Sequence, residues 1–120
     1  MTDQDTTIAQ LKEAVHALCV RKDWGDRGVQ NPQHVAMAMT VEMSELLEHF
    51  QWLDQAHVDN LLAGGDPERV ALIAEEFADV MMYGLQLARS LNIDVTGQIF
   101  RKIAIVDKRK NSRADLEIKR

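Results

Sequence analysis

A single cysteine, Cys19, occurs among the 120 residues, so no disulfide can form within the chain. Its neighbours Leu18 and Val20 mark it as an inert thiol packed on a helix. Long apolar runs are also missing: none approaches the roughly 18 residues that a membrane-crossing helix needs. The first residues, Met-Thr-Asp-Gln-Asp, are polar and acidic, unlike a secretory signal. These absences point to a cytoplasmic protein with no membrane partner. Basic charge is lacking too, with 14 Lys and Arg against 19 Asp and Glu and a formal charge of −5. Tracking along a nucleic acid polymer usually requires a net basic surface, so that class is disfavoured. A small phosphorylated ligand is not, because a carboxylate-held metal ion can supply the missing positive charge. Alternating β-branched runs and Asn-Gly or Asp-Gly pairs are absent, which removes the signals of strands and hairpins. There is no low-complexity tract and no clear internal repeat, and aromatics make up only 5%.

What is present fits one soluble domain over residues 1–120, with 46% hydrophobic and 28% charged residues. Ile8, Leu11, Val15 and Leu18 recur at the helical period and predict a helix over Thr6–Arg21. Lys22–Asn31, with Gly25 and Gly28 inside it, reads as a loop. The only two prolines each follow a capping residue, Asn31-Pro32 and Asp66-Pro67, and mark helix starts. The first opens a helix to about Leu53, the second a helix to about Ser90. Ala56–Leu62 fits one or two helical turns before the break at Gly64-Gly65. Asn92–Asp94 is a tight connection, with Asp94 or Thr96 capping a last helix over Val95–Lys110. The ordered core spans about 6–110, and Asn111–Arg120 is a charged, mobile tail. The expected architecture is an all-α four-helix bundle.

Two of these helices carry matched acidic pairs. At roughly 100° per residue, Met39, Met43, Leu46, Leu47 and Phe50 fall between about +40° and +140° of Glu42. Glu45 falls near −60°, His49 near −20° and Trp52 near −80° by the same rough count. Relative to Glu76, the apolar arc holds Ile73, Phe77, Val80, Met81, Gly84, Ala88 and Leu91, while Asp79 lies near −60° and Tyr83 near −20°, again roughly. Packing the apolar arcs together would bring Glu42, Glu45, Glu76 and Asp79 to one rim. Four carboxylates repel one another unless a cation neutralises them. An all-oxygen set without cysteine suits Mg²⁺, or Mn²⁺ as a substitute, better than zinc. Solvated surface glutamates at this spacing are common, and the pattern alone names no reaction.

At these residues the sequence resembles the MazG-like family of all-α nucleoside triphosphate pyrophosphohydrolases, and its small dCTP-pyrophosphatase branch in particular. The family's Glu-x-x-Glu, spacer, Glu-x-x-Asp signature reads Glu42-Met-Ser-Glu45 and Glu76-Phe-Ala-Asp79 here. Glu-Leu-Leu-Glu-His-Phe-Gln-Trp (45–52), Glu-Glu-Phe-Ala-Asp-Val (75–80) and Arg-Lys-Asp-Trp (21–24) match the branch, and the likeness covers roughly Leu11–Arg109. The resemblance implies hydrolysis of a nucleoside triphosphate to monophosphate and pyrophosphate, with Mg²⁺ on the four carboxylates. It implies Glu45 as general base with Glu75 in reserve. Trp24, Trp52 and Tyr83 match aromatics of the base pocket, Lys102 matches a family lysine facing phosphate, and Lys108 and Arg109 match more loosely. It also implies a homodimer or homotetramer with pockets at subunit contacts, and a house-cleaning role on pyrimidine or non-canonical dNTPs such as dCTP.

Three departures bear on the ligand. The stretch between Trp24 and Pro32 is two residues longer than in the family, and His34 and Val106 replace asparagines of the ligand-contacting neighbourhood. They leave base and sugar preference open. A ferritin-like di-metal protein needs two Glu-x-x-His pairs, and only Glu13-Ala-Val-His16 fits, away from the acidic stripes. The remaining alternative is a non-catalytic regulatory or partner-binding helical dimer, against which the four intact acidic positions argue.

Overall fold

The N-terminal helix starts where Thr7 turns extended and its hydroxyl accepts from the Gln10 backbone N–H at 3.1 Å, while the Gln10 side chain accepts from the Thr7 N–H at 2.7 Å. This reciprocal capping box satisfies two donors that the first turn leaves unpaired. The computed structural model describes residues 1–109 and contains α1 (Ile8–Arg21), α2 (Pro32–Glu48), α3 (Gln55–Leu62), α4 (Pro67–Ser90) and α5 (Val95–Asp107). The expected tail, and Lys110 at the expected end of the last helix, lie outside these residues. The fold is all-helical, with no strand among the described residues beyond one isolated bridge, Asp26 to Val29.

Side-chain caps open the other helices as well. Asn31, Asp54, Asp66 and Asp94 accept from the N–H groups of Gln33, His57, Arg69 and Gly97. Three helices end alike. At α1 the Trp24 N–H reaches the Cys19 carbonyl at 2.9 Å around Asp23, which has φ 56. At α3 Gly65 reaches Asn60 at 2.8 Å around Gly64, and at α4 Ile93 reaches Ala88 at 2.7 Å around Asn92. These are Schellman endings, with a left-handed residue reversing the chain. The first of them fixes where Trp24 leaves α1.

The loop that follows is also built, not slack. Arg27 and Gly28 have φ 53 and 81, the pair of positive values that a type I′ turn requires. Asp26 and Val29 exchange N–H to carbonyl bonds of 2.9 Å each across that turn. Gly25 closes it, since a Cβ there would stand 2.3 Å from the Val29 carbonyl oxygen.

Helix α2 ends five residues before the expected Leu53. Phe50 keeps the apolar period, but Asp54 is extended so that its carboxylate caps α3, and Arg69 Nη1 donates to the His49 carbonyl at 3.3 Å. The chain therefore turns at His49, and Trp52 sits off the helix, 87% exposed. Helix α5 ends at Asp107, three residues before the expected Lys110.

The most extensive packing is between α2 and α4, with α1 laid on α4 and α3 touching α4's start. Helices α2 and α4 approach closely at Gly84, where a Cβ would be 3.4 Å from Met39 Cε. Val15, Cys19 and Leu85 form a small core flanked by Ile8 and Met82, and Val35, Val80 and Ala88 are buried nearby. Burial pushes the Cys19 thiol pKa up. Arg89 Nε on α4 donates to Glu13 Oε1 on α1 at 3.1 Å, and Lys12 Nζ donates to the Ile93 carbonyl. Helix α5 makes few contacts with the other helices and leaves Ile99, Phe100 and Ile103 exposed. No described helix is long and apolar enough to cross a membrane.

Candidate active site

The α2–α4 packing brings three carboxylates together. One oxygen from each of Glu42, Glu45 and Glu76 lies within 4.8 Å of the other two. Glu42 is one turn beyond Met39, and Glu76 is two turns before the close approach at Gly84, so each acid flanks the helix contact. Glu45 is exposed, whereas Glu42 and Glu76 are half-buried and each holds one carboxylate oxygen out of reach of water with no hydrogen-bond partner. Burial raises the pKa of Glu42 above its ordinary value, and the charge and hydrogen bond of Glu45 raise it further. The same two causes, in the same order, raise Glu76, with His49 opposing. Two carboxylates, each with an orphaned buried oxygen and both clustered with a third, fit a hard cation that accepts oxygen ligands.

Asp79 stands outside this triangle, but its charge contributes to the raised pKa of both Glu42 and Glu76. It shares with Glu42 the wall of a cleft of about 400 Å³ that is completed by Trp24, Gln30, Met82, Tyr83 and Gln86. Acidic, aromatic and amide groups thus line one cleft, in a volume suited to a small organic ligand. His34 lines an adjoining cleft of about 460 Å³ that shares Gln30 and Tyr83 with the first.

The remaining expected residues are not brought to the acids by this single chain. Glu75 is exposed, one residue off the acidic stripe and outside the carboxylate triangle. Trp52, expected beside the glutamates, lies on the turn after α2 and lines neither cleft. Lys102 lines a separate apolar groove on α5 with Ile99, Ile103 and Val106. Arg109 is exposed at the end of the described residues. Sequence reasoning missed Gln30, Met82 and Gln86. Gln86 had a signal: at about −80° from Glu76 it continues the stripe of Asp79 and Tyr83 one turn further. Gln30 follows an irregular loop and had none.

The sequence pattern of the MazG-like family matches residues 37–119. The chain is 24% identical over 99 residues to the dCTP pyrophosphatase 1 of Rattus norvegicus, covering 82% of this chain and 56% of that protein. It is 25% identical over 101 residues to dCTP pyrophosphatase 1 of Homo sapiens, covering 84% and 57% respectively. The chain therefore spans a little over half the length of these relatives.

Proposed function

Because the chain belongs to the MazG-like family, we propose that it is a divalent-metal-dependent nucleoside triphosphate pyrophosphohydrolase, converting a (d)NTP and water to (d)NMP and pyrophosphate. One observation carries this reading: Glu42 and Glu76, each with a partnerless buried oxygen, cluster with Glu45, and Glu42 also lines an aromatic-walled cleft together with Asp79. Glu42, Glu45 and Glu76, with Asp79 beside them, would hold Mg²⁺, with Mn²⁺ as substitute. The ion supplies charge neutralisation and polarisation at the phosphoryl group. Glu45, exposed between the other two acids, takes the proton of the attacking water, with Glu75 in reserve. Trp24 and Tyr83 flank the base, with His34 on the adjoining wall. Trp52, Lys102 and Arg109 lie away from this cleft, so their roles toward base and phosphate require a second copy of the chain. A homodimer or homotetramer, as the resemblance implies, provides one. The substrates are pyrimidine or non-canonical dNTPs such as dCTP, a choice supported by the activity that the relatives' name states. The role is cytoplasmic house-cleaning of the nucleotide pool.

The test is pyrophosphate release from a panel of canonical and damaged nucleotides with Mg²⁺. Turnover of at least one nucleotide well above a Glu42→Gln control is expected. Equal rates for wild type and control across the panel would leave a non-catalytic helical module as the reading.

A further inference from the structure

A second, smaller space adjoins the cleft. A cavity of about 10 Å³ lies where α1, the loop after Trp24 and the end of α4 meet. Lys12 and His16 line it from α1, Gln30 from the loop, and Gln86, Arg89 and Ser90 from α4. Each of these six side chains can donate a hydrogen bond, and Lys12 and Arg89 are cations. No acid among the described residues lines the cavity, although acids outnumber Lys and Arg by 19 to 14 in the chain. Both cations are tethered: Lys12 Nζ donates to the Ile93 carbonyl and Arg89 Nε to Glu13 Oε1. An ammonium has three donors and a guanidinium five, so one such contact leaves donors to spare on each. Glu13 offsets the charge of Arg89, but Lys12 has no ion pair among the described residues. The loop closes tightly on α1 beside this cavity, since a Cβ on Gly28 would stand 2.7 Å from Val20 Cγ2 and 3.0 Å from His16 Cε1.

We propose that this cavity is a binding site for a monatomic anion, chloride. A space bordered by cations and neutral donors, with no carboxylate on its wall, favours a negative guest. Its volume of about 10 Å³ is room for a guest of one heavy atom, which excludes phosphate, sulfate and nucleotides. A water there would occupy donors but leave the unpaired charge of Lys12 without a counter-charge. Gln30 and Gln86 also line the nucleotide cleft, so the two sites share these residues. Chloride in this place joins α1, the Trp24 loop and α4 through one guest, and stabilises the folded chain by mass action.

The test uses the full chain in EDTA without nucleotide, so its outcome is independent of the hydrolase reading. The melting temperature is followed while sodium gluconate is replaced by sodium chloride at constant ionic strength. Wild type should melt roughly 3–6 °C higher in chloride, along a curve that saturates. Lys12→Met keeps a stem of similar length and removes the charge. The loss of its Ile93 contact lowers melting in both salts alike, whereas the chloride-dependent rise should disappear. Crystals of wild type grown in sodium bromide should show an anomalous peak between Lys12, His16 and Arg89. This second measurement decides the matter if Lys12→Met does not fold. A rise of equal size in wild type and Lys12→Met places the chloride effect elsewhere and overturns the proposal. So does a water in place of the bromide peak. A Lys12-dependent rise with sodium phosphate as large as that with chloride overturns the assignment to a monatomic ion.

Discussion

Glu42 and Glu76 are held in a state that suits a bound cation better than the free chain. Each has a pKa raised above the ordinary 4.5, chiefly by burial and then by Glu45. A group with a raised folded-state pKa holds its proton more tightly when folded than when unfolded. Its contribution to stability is complete below about pH 4.5, the unfolded value, and is lost as pH rises through the folded values. Melting of the metal-free protein in EDTA should therefore show this contribution at pH 4 to 5 and lose it toward pH 8. Mg²⁺ should raise the melting temperature more at pH 8 than at pH 5, and an equal rise at both would contradict the assignment. Glu42→Gln removes one of the repelling charges. In EDTA at pH 8 it should melt higher than wild type, while pyrophosphate release falls about a hundred-fold or more. The acids were legible because glutamates three apart on a helix share a face whatever the packing. Their unequal burial was not, because it depends on where α2 crosses α4.

Among the elements, the junction between α2 and α4 controls the spacing of the acids. Asp66 caps α4 and pairs with Arg69 at 3.3 Å, and Arg69 in turn donates to the His49 carbonyl at the end of α2. Asp66→Ala should cost roughly 0.5–2 kcal/mol in urea denaturation through the lost cap. It should also weaken Mg²⁺ binding, because the Arg69 tether loses its anchor. Gly25→Ala should destabilise by about 1–3 kcal/mol, combining a left-handed backbone with a Cβ against Val29. Quenching of Trp24 fluorescence by added nucleotide should be lost with it. Helix starts were legible to the residue at Pro32 and Pro67, because cap and proline are local chemistry. The end of α2 was not: nothing between His49 and Leu53 breaks a helix by propensity. The stop comes from Asp54, which serves the next helix, and from Arg69, twenty residues away in sequence.

At the scale of the molecule, this chain is extended for its size. Its radius of gyration is 17.1 Å, against about 13 Å for a compact domain of this length. Helix α5 makes few contacts with the other helices and leaves Ile99, Phe100 and Ile103 exposed, Phe100 to 67%. The last helix was legible from its cap at Asp94, but no sequence pattern says whether Ile99, Phe100 and Ile103 meet their own chain or another. If they meet a second copy, Phe100→Asp with Ile103→Asp should yield monomers by light scattering and lose most pyrophosphate release. A wild type that is monomeric and fully active would refute the homo-oligomer. Finally, the chain's sole thiol is wholly enclosed at the place where the Trp24 loop is tied to α1. A thiol reagent can reach Cys19 only when α1 lifts from α4 or the molecule unfolds. Its rate of modification is thus a built-in clock for opening, readable without any introduced label. A nucleotide resting on Trp24 should slow that clock.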